Sequence, residues 1–252
     1  MKSIRAGAIA FVAVGGLLAG CSSGDDATAS TPATPASSAP APAAAATTPA
    51  GATAAGGGIA ALSADQILAK AESALKEAKS FHVKGDSVQN GQKMSIDFEV
   101  SGDDLIGSLT QGKAVIEMLS VSGSHYIRPN EAFWQIATGD ATRAKTLATA
   151  VGKKWVSTKA DKNFDSFFGE FTPEKFLEAD GTITKGDAKT VNGVPTIALQ
   201  DSSNGVIYIA TTGKPYPISV DSDGTITFSE FAKTFSDIKK PASSDVFTKT
   251  IS

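Results

Sequence analysis

Along residues 93–101 the chain alternates strictly, with Met94, Ile96, Phe98 and Val100 apolar and Lys93, Ser95, Asp97 and Glu99 polar. A period of two predicts an antiparallel strand with one face buried and one in water. A strand over residues 81–88 precedes it, joined through Asn90-Gly91, a two-residue hairpin signal. Strands over 105–110, 114–121 and 125–129 continue the meander, separated by Gly102-Asp103, Gln111-Gly112 and Ser122-Gly123. A second series runs through 183–191, 195–200, 206–210, 216–221 and 225–231, with turns at Asn192-Gly193, Asn204-Gly205 and Asp223-Gly224. With a short strand over 154–158 around Trp155, the count is roughly ten strands.

Two stretches follow a helical period instead. Ser63 and Gln66 make a capping-box pattern, and Ile67, Leu68, Ala71, Leu75 and Ala78 then fall on one helix face. The middle of the chain is helical and less regular. Asp140 caps a helix through Arg143, Leu147 and Ala150, and Phe164, Phe167, Phe168 and Phe171 recur at i, i+3, i+4 and i+7 as an aromatic stripe. Thr172-Pro173 restarts the chain as N-cap and first-turn proline, followed by Phe176 and Leu177. Strands, then helices, then strands is an α+β pattern, and a sheet of this size curls strongly.

The start of the chain is a different material. Lys2 and Arg5 form a basic region, residues 6–18 an apolar run, and Ala19 and Gly20 a small-residue end. That is the layout of a secretory signal, and about 13 apolar residues fall short of the ~20 a membrane-spanning helix needs. The string Leu18-Ala19-Gly20-Cys21 resembles the lipobox of bacterial lipoproteins. The resemblance implies a diacylglyceryl thioether on Cys21 and cleavage before it, which leaves the chain anchored to the outer face of the cell membrane. Cys21 is the only cysteine, so neither an intramolecular disulfide nor a cysteine-rich metal site is available. Residues 22–61 are Ala, Pro, Thr, Ser and Gly with almost no large apolar side chain. Such a segment cannot offset its ordering entropy. It is read as a disordered tether, with an end-to-end distance of roughly 35 Å as a flexible coil of ~40 residues.

Residues 62–252 suffice for one domain. Without Lys2 and Arg5, 21 basic residues face 26 acidic ones, a formal charge of −5. That argues against nucleic acid, which calls for a basic face, and against a polybasic grip on anionic lipid.

Three stretches carry a family resemblance: SFHVKGDSV from Ser80; GSHYIRPNEAFW from Gly123 with GKKWVST from Gly152; and TKGDAKTVNGVPTIALQDSSNGVIYIATTGKPYPISVD from Thr184. The last ends in a GxPYP strand entry, here Gly213-Lys214-Pro215-Tyr216-Pro217. Together with the lipobox they resemble the actinobacterial LppX/LprG-type lipoproteins, related in fold to the LolA carrier. The resemblance implies an antiparallel half-barrel whose concave apolar face is covered by helices and holds acyl chains of lipids or lipoglycans. On that reading the cavity is lined by Met94, Ile96, Phe98, Val100, Leu105, Leu109, Ile116, Met118, Ile197 and Leu199, with Phe164, Phe167, Phe168 and Phe171 as a lid. The competing reading of the same residues is a plain packed core.

Catalytic patterns are missing from the sequence. His82 and His125 each sit among apolar strand residues, and there is no Gly-x-Ser-x-Gly elbow, no His/Glu metal constellation and no phosphate loop. Asp103-Asp104 and the Asp221–Gly224 turn do not have EF-hand spacing. The expectation is a non-enzymatic lipid-binding lipoprotein without a cofactor. The alternative is an envelope sensor or scaffold that binds a protein partner through a sheet face or edge.

Overall fold

The computed structural model describes residues 58–89, 91–159, 162–179 and 181–248. The expected signal, Cys21 and nearly all of the expected tether lie outside these residues. The tether reading ran to residue 61, yet Ile59–Ala61 form a turn of 3-10 helix, and the carbonyls of Ala60 and Leu62 accept from Lys185 Nζ at 2.9 and 3.2 Å. Ile59 packs on the main core, so residues 59–61 belong with the domain rather than with the expected tether.

Helix α1 (Ala64–Ala78) starts at Ser63 with both halves of the capping box in place, and it buries Ile67, Leu68, Ala71 and Leu75. Five antiparallel strands follow: β1 (Ser80–Gln89), β2 (Gln92–Ser101), β3 (Asp104–Gln111), β4 (Ala114–Val121) and β5 (Ser124–Pro129). Helices α2 (Glu131–Thr138) and α3 (Ala141–Val151) lead to β6 (Trp155–Ser157), then α4 (Lys162–Gly169) and α5 (Pro173–Phe176). Strands β7 (Thr184–Val191), β8 (Val194–Gln200), β9 (Val206–Ala210), β10 (Pro217–Asp221) and β11 (Gly224–Ser229) form the second meander, and a short strand β12 (Val246–Phe247) follows it in sequence.

All twelve strands form one sheet in the order β12-β6-β5-β4-β3-β2-β1-β11-β10-β9-β8-β7. The fold is α+β, and the sheet is open rather than a closed barrel, because β12 and β7 each have a single neighbour. It exceeds the roughly ten strands expected. One difference is β12, a two-residue strand that pairs parallel to β6 at Val246–Trp155 and Phe247–Val156, too short to leave a periodic signal. The two meanders meet where β1 pairs with β11, His82 opposite Ser229 and Val83 opposite Phe228.

In the middle of the sheet backbone passes very close to two glycines, whose missing Cβ makes that approach feasible. A Cβ on Gly107 would fall 2.1 Å from the Asp97 carbonyl oxygen, and one on Gly85 would fall 2.1 Å from that of Thr225. The Asn192-Gly193 hairpin has positive φ at both residues, 49° and 79°, as its turn type requires.

The alternation read from β2 is realised, with Met94, Ile96, Phe98 and Val100 buried. Cross-strand register puts Phe81 and Val83 of β1, Leu105 and Leu109 of β3, and Ile116 and Met118 of β4 on the same face. This face and the buried residues of α1 belong to one core cluster. Burying such a side chain is worth about 1.5–3 kcal/mol, and the face carries many of them. A second, smaller cluster of Leu119, Tyr126 and Trp155 lies on the opposite side of β4–β6. Residues 230–245 carry the chain from β11 in mid-sheet to β12 at the edge. They are tied down where Ser80 Oγ donates to the Lys233 carbonyl at 2.7 Å and Ala232 N donates to that of Ser80 at 2.9 Å.

Candidate functional site

The residues read as cavity-lining are brought together. Met94, Ile96, Phe98, Val100, Leu105, Leu109, Ile116, Met118, Ile197, Leu199, Phe168 and Phe171 all belong to the main core cluster, and Phe164 and Phe167 pack against it half-buried. Ile197 and Leu199 join from β8 through Ile209 and Ile207 of β9, which sit directly opposite them. Phe98, Met118 and Leu199 have no accessible surface, so in this conformation the candidate lining touches protein and not solvent.

The aromatic stripe does not lie on one helix. Helix α4 stops at Gly169, and Phe171 lies beyond it in the turn before α5. There the backbone tightens, with Glu170 N donating to Phe167 O at 3.3 Å and Phe171 N to Phe168 O at 3.1 Å. The tightening carries Phe171 onto the sheet, where its ring centroid is 4.7 Å from that of Phe98. Phe167 meets Phe171 edge-on at 5.5 Å. Phe176 of α5 packs on Phe81 and Phe228 at 6.3 and 6.1 Å, joining the two meanders.

His125 of β5 links the same segment to the sheet. Its ring stacks on Phe168 at 4.4 Å with 9° between planes, and its Nδ1 lies 3.2 Å from Asp165 Oδ1 on α4. On α5, Glu174 is 3.4 Å from Lys76 of α1. The Lys76–Glu174 pair is largely solvent-facing, which limits it to about 1 kcal/mol or less. The rings hold α4 and α5 more firmly than these charges do.

Sequence reasoning missed α2, and with it Trp134. The signals were present: Asn130 caps the helix by accepting from Phe133 N at 2.9 Å, and Gly139 ends it with φ +67°. Trp134 is buried, yet its indole Nε1 has no hydrogen-bond partner among the described residues; Asp221 Oδ1, beside an exposed turn, is the other such atom.

The polar side of the sheet carries its own network. Asp97 lies 2.6 Å from His82 Nε2 and 2.7 Å from Lys84 Nζ. Partial burial pushes its carboxyl up, but the hydrogen bonds from Lys84 and His82 together outweigh that and hold it below the usual carboxylate range. Asp86 is likewise lowered, by the Ser95 hydroxyl and by Lys93. Asp97, Glu99, Ser108, Glu117, Arg128, Trp155 and Asp237 surround a depression of about 300 Å³. In it Arg128 pairs with Glu117 and lies 4.4 Å above the Trp155 ring.

Among the described residues, no three His, Asp or Glu side chains are placed to hold a metal, and no helix is long and apolar enough to cross a membrane. A scan against protein-family models gives no match to this chain, and a search of curated proteins gives none either.

Proposed function

We propose that the chain is an exported lipoprotein, anchored through acylated Cys21, whose domain binds and transfers acyl lipids or lipoglycans in the cell envelope. The reading treats the open sheet as a half-barrel with α1, α4 and α5 over its concave face. The observation that carries it is the form of the core. Short aromatic segments pack on the apolar face of a very large sheet, with Phe171 on Phe98 and Phe176 on Phe81. The family resemblance of the sequence points the same way.

Because the lining is filled by its own side chains, entry of a lipid requires α4 and α5 to move and their phenylalanines to leave the sheet. The energetics suit a carrier. Burying an acyl chain gains about 0.8 kcal/mol per CH₂ relative to water but little relative to a membrane interior, which is already apolar. Exchange between protein and membrane is then close to balanced, and cargo can be both taken up and released.

Vesicle extraction tests this reading. The Cys21→Ser chain, which lacks the anchor, is incubated with vesicles of radiolabelled phosphatidylglycerol and diacylglycerol and then separated from them. Lipid that co-elutes with protein, in a saturable amount near one per chain, supports the proposal; protein that leaves the vesicles free of lipid contradicts it.

The depression around Trp155 favours a second reading, recognition of a protein partner by the polar side of the sheet. Its rim carries Asp97, Glu99, Glu117 and Asp237 against Arg128. Replacing Glu99 and Asp237 by lysine separates the two readings, since it abolishes a partner's cross-link and leaves lipid extraction intact.

A further inference from the structure

Trp134 is 8 % exposed as a residue, and its buried indole Nε1–H is without an acceptor among the described residues. A buried tryptophan N–H ordinarily has a partner, because leaving it unmet forfeits the hydrogen bond it made to water. The Thr138 hydroxyl donates to the Trp134 carbonyl oxygen at 2.8 Å and does not meet the ring. Trp134 belongs to the same core cluster as the candidate lining, on a helix packed against β4, the strand of Ile116 and Met118. Helix α2 also lies at the border of the core, since it buries Phe133 and Trp134 and leaves Ile136 half exposed.

We propose that Trp134 Nε1–H is the polar anchor of the lipid site and donates to a carbonyl oxygen of an ester- or amide-linked acyl chain. The inference rests on the lipid-binding reading above and narrows its ligand. The acceptor is neutral, because no lysine or arginine is among the buried residues described, and an unpaired phosphate or carboxylate does not enter such surroundings without a cation. The border position of α2 sets the polarity of the site: headgroup outward beside Ile136, carbonyl at Trp134, hydrocarbon inward along Ile116 and Met118.

The test uses the full chain, a fluorescent ether-linked dialkylglycerol as neutral probe, and two competitors of equal chain length, ester-linked dipalmitoylglycerol and ether-linked dihexadecylglycerol. The wild type is expected to bind the ester roughly three- to tenfold more tightly, the worth of one hydrogen bond. Trp134→Phe keeps a ring and removes the N–H, and is expected to bring the ester down to the ether and leave the ether unchanged. If the variant weakens both alike or neither, a water meets the N–H and the anchor is overturned while lipid binding stands. Equal wild-type affinities overturn it without any variant, should Trp134→Phe fail to fold. If the probe does not bind at all, the lipid reading falls and the anchor with it.

Discussion

The Phe171 ring lies 4.7 Å from the Phe98 ring, tilted by 57°, and this contact joins the segment after α4 to the middle of the sheet. Phe171 is buried although it stands outside any helix, so its position depends on the tight turn that follows Gly169. Phe171→Ala is expected to destabilise the fold by about 3 kcal/mol, as large-to-small changes at buried phenylalanines do. In the account above it also loosens the barrier over the candidate site. Stopped-flow uptake of a fluorescent dialkylglycerol is therefore expected to accelerate. Lost stability with unchanged uptake would show that α4 and α5 are core and not gate.

Gly107 stands where β3 passes close to β2. A Cβ there would fall 2.1 Å from the Asp97 carbonyl oxygen and 2.5 Å from Phe98 Cδ1. Backbone is not free to yield, so Gly107→Ala is expected to cost about 3 kcal/mol or more, at the upper end of overpacking effects. Gly169→Ala, which meets nothing within 4 Å, serves as the control. Urea midpoints of the two variants measure the contrast; equal midpoints would contradict the close approach of the strands.

The acid stability of the chain is expected to reflect Asp97. Its folded pKa lies below its unfolded value, so the contribution is present above the unfolded pKa, near 3.8, and is lost as pH falls through the folded value. The side chain is 43 % exposed, which limits the effect to below about 1 kcal/mol. Asp97→Asn is expected to lower the urea midpoint at pH 7 slightly, by an amount that shrinks as pH falls below 3.8. A difference that stays constant as pH falls would point to packing rather than charge.

Replacing Cys21 by serine is expected to abolish incorporation of labelled palmitate and to release the chain from the membrane fraction, since a single acylated cysteine supplies the whole anchor in this account. Retention of the Cys21→Ser chain in washed membranes would mean that another segment holds it there.

Legibility in the sequence followed the range of each signal. The β2 face was readable because side-chain alternation is local, and the α1 start because Ser63 and Gln66 bond each other. The parallel pairing of Val246 with Trp155 depends on residues 91 positions apart and leaves no local trace. On β4 the sequence reading named only Ile116 and Met118 as buried lining, yet Leu119 and Ser120 are buried as well, since Leu119 packs with Tyr126 and Trp155 on the other side. The aromatic stripe was legible as a spacing, but the helix ends before Phe171, and the tightened turn changes which rings reach the sheet. For the candidate site, sequence supplied the apolar lining and not its polar contact. Trp134 lies on an eight-residue helix whose apolar pattern is too short to stand out, and its unmet N–H is a property of three-dimensional surroundings.

Native mass spectrometry of the full chain, purified from a bacterial host in mild detergent, tests lipid binding by the domain most directly. The account predicts a second population heavier than the lipidated chain by the mass of one acyl lipid, which dissociates on collisional activation and persists in the Cys21→Ser chain. A single population at the mass of the chain and its own anchor, with none added on incubation with lipid, would contradict it.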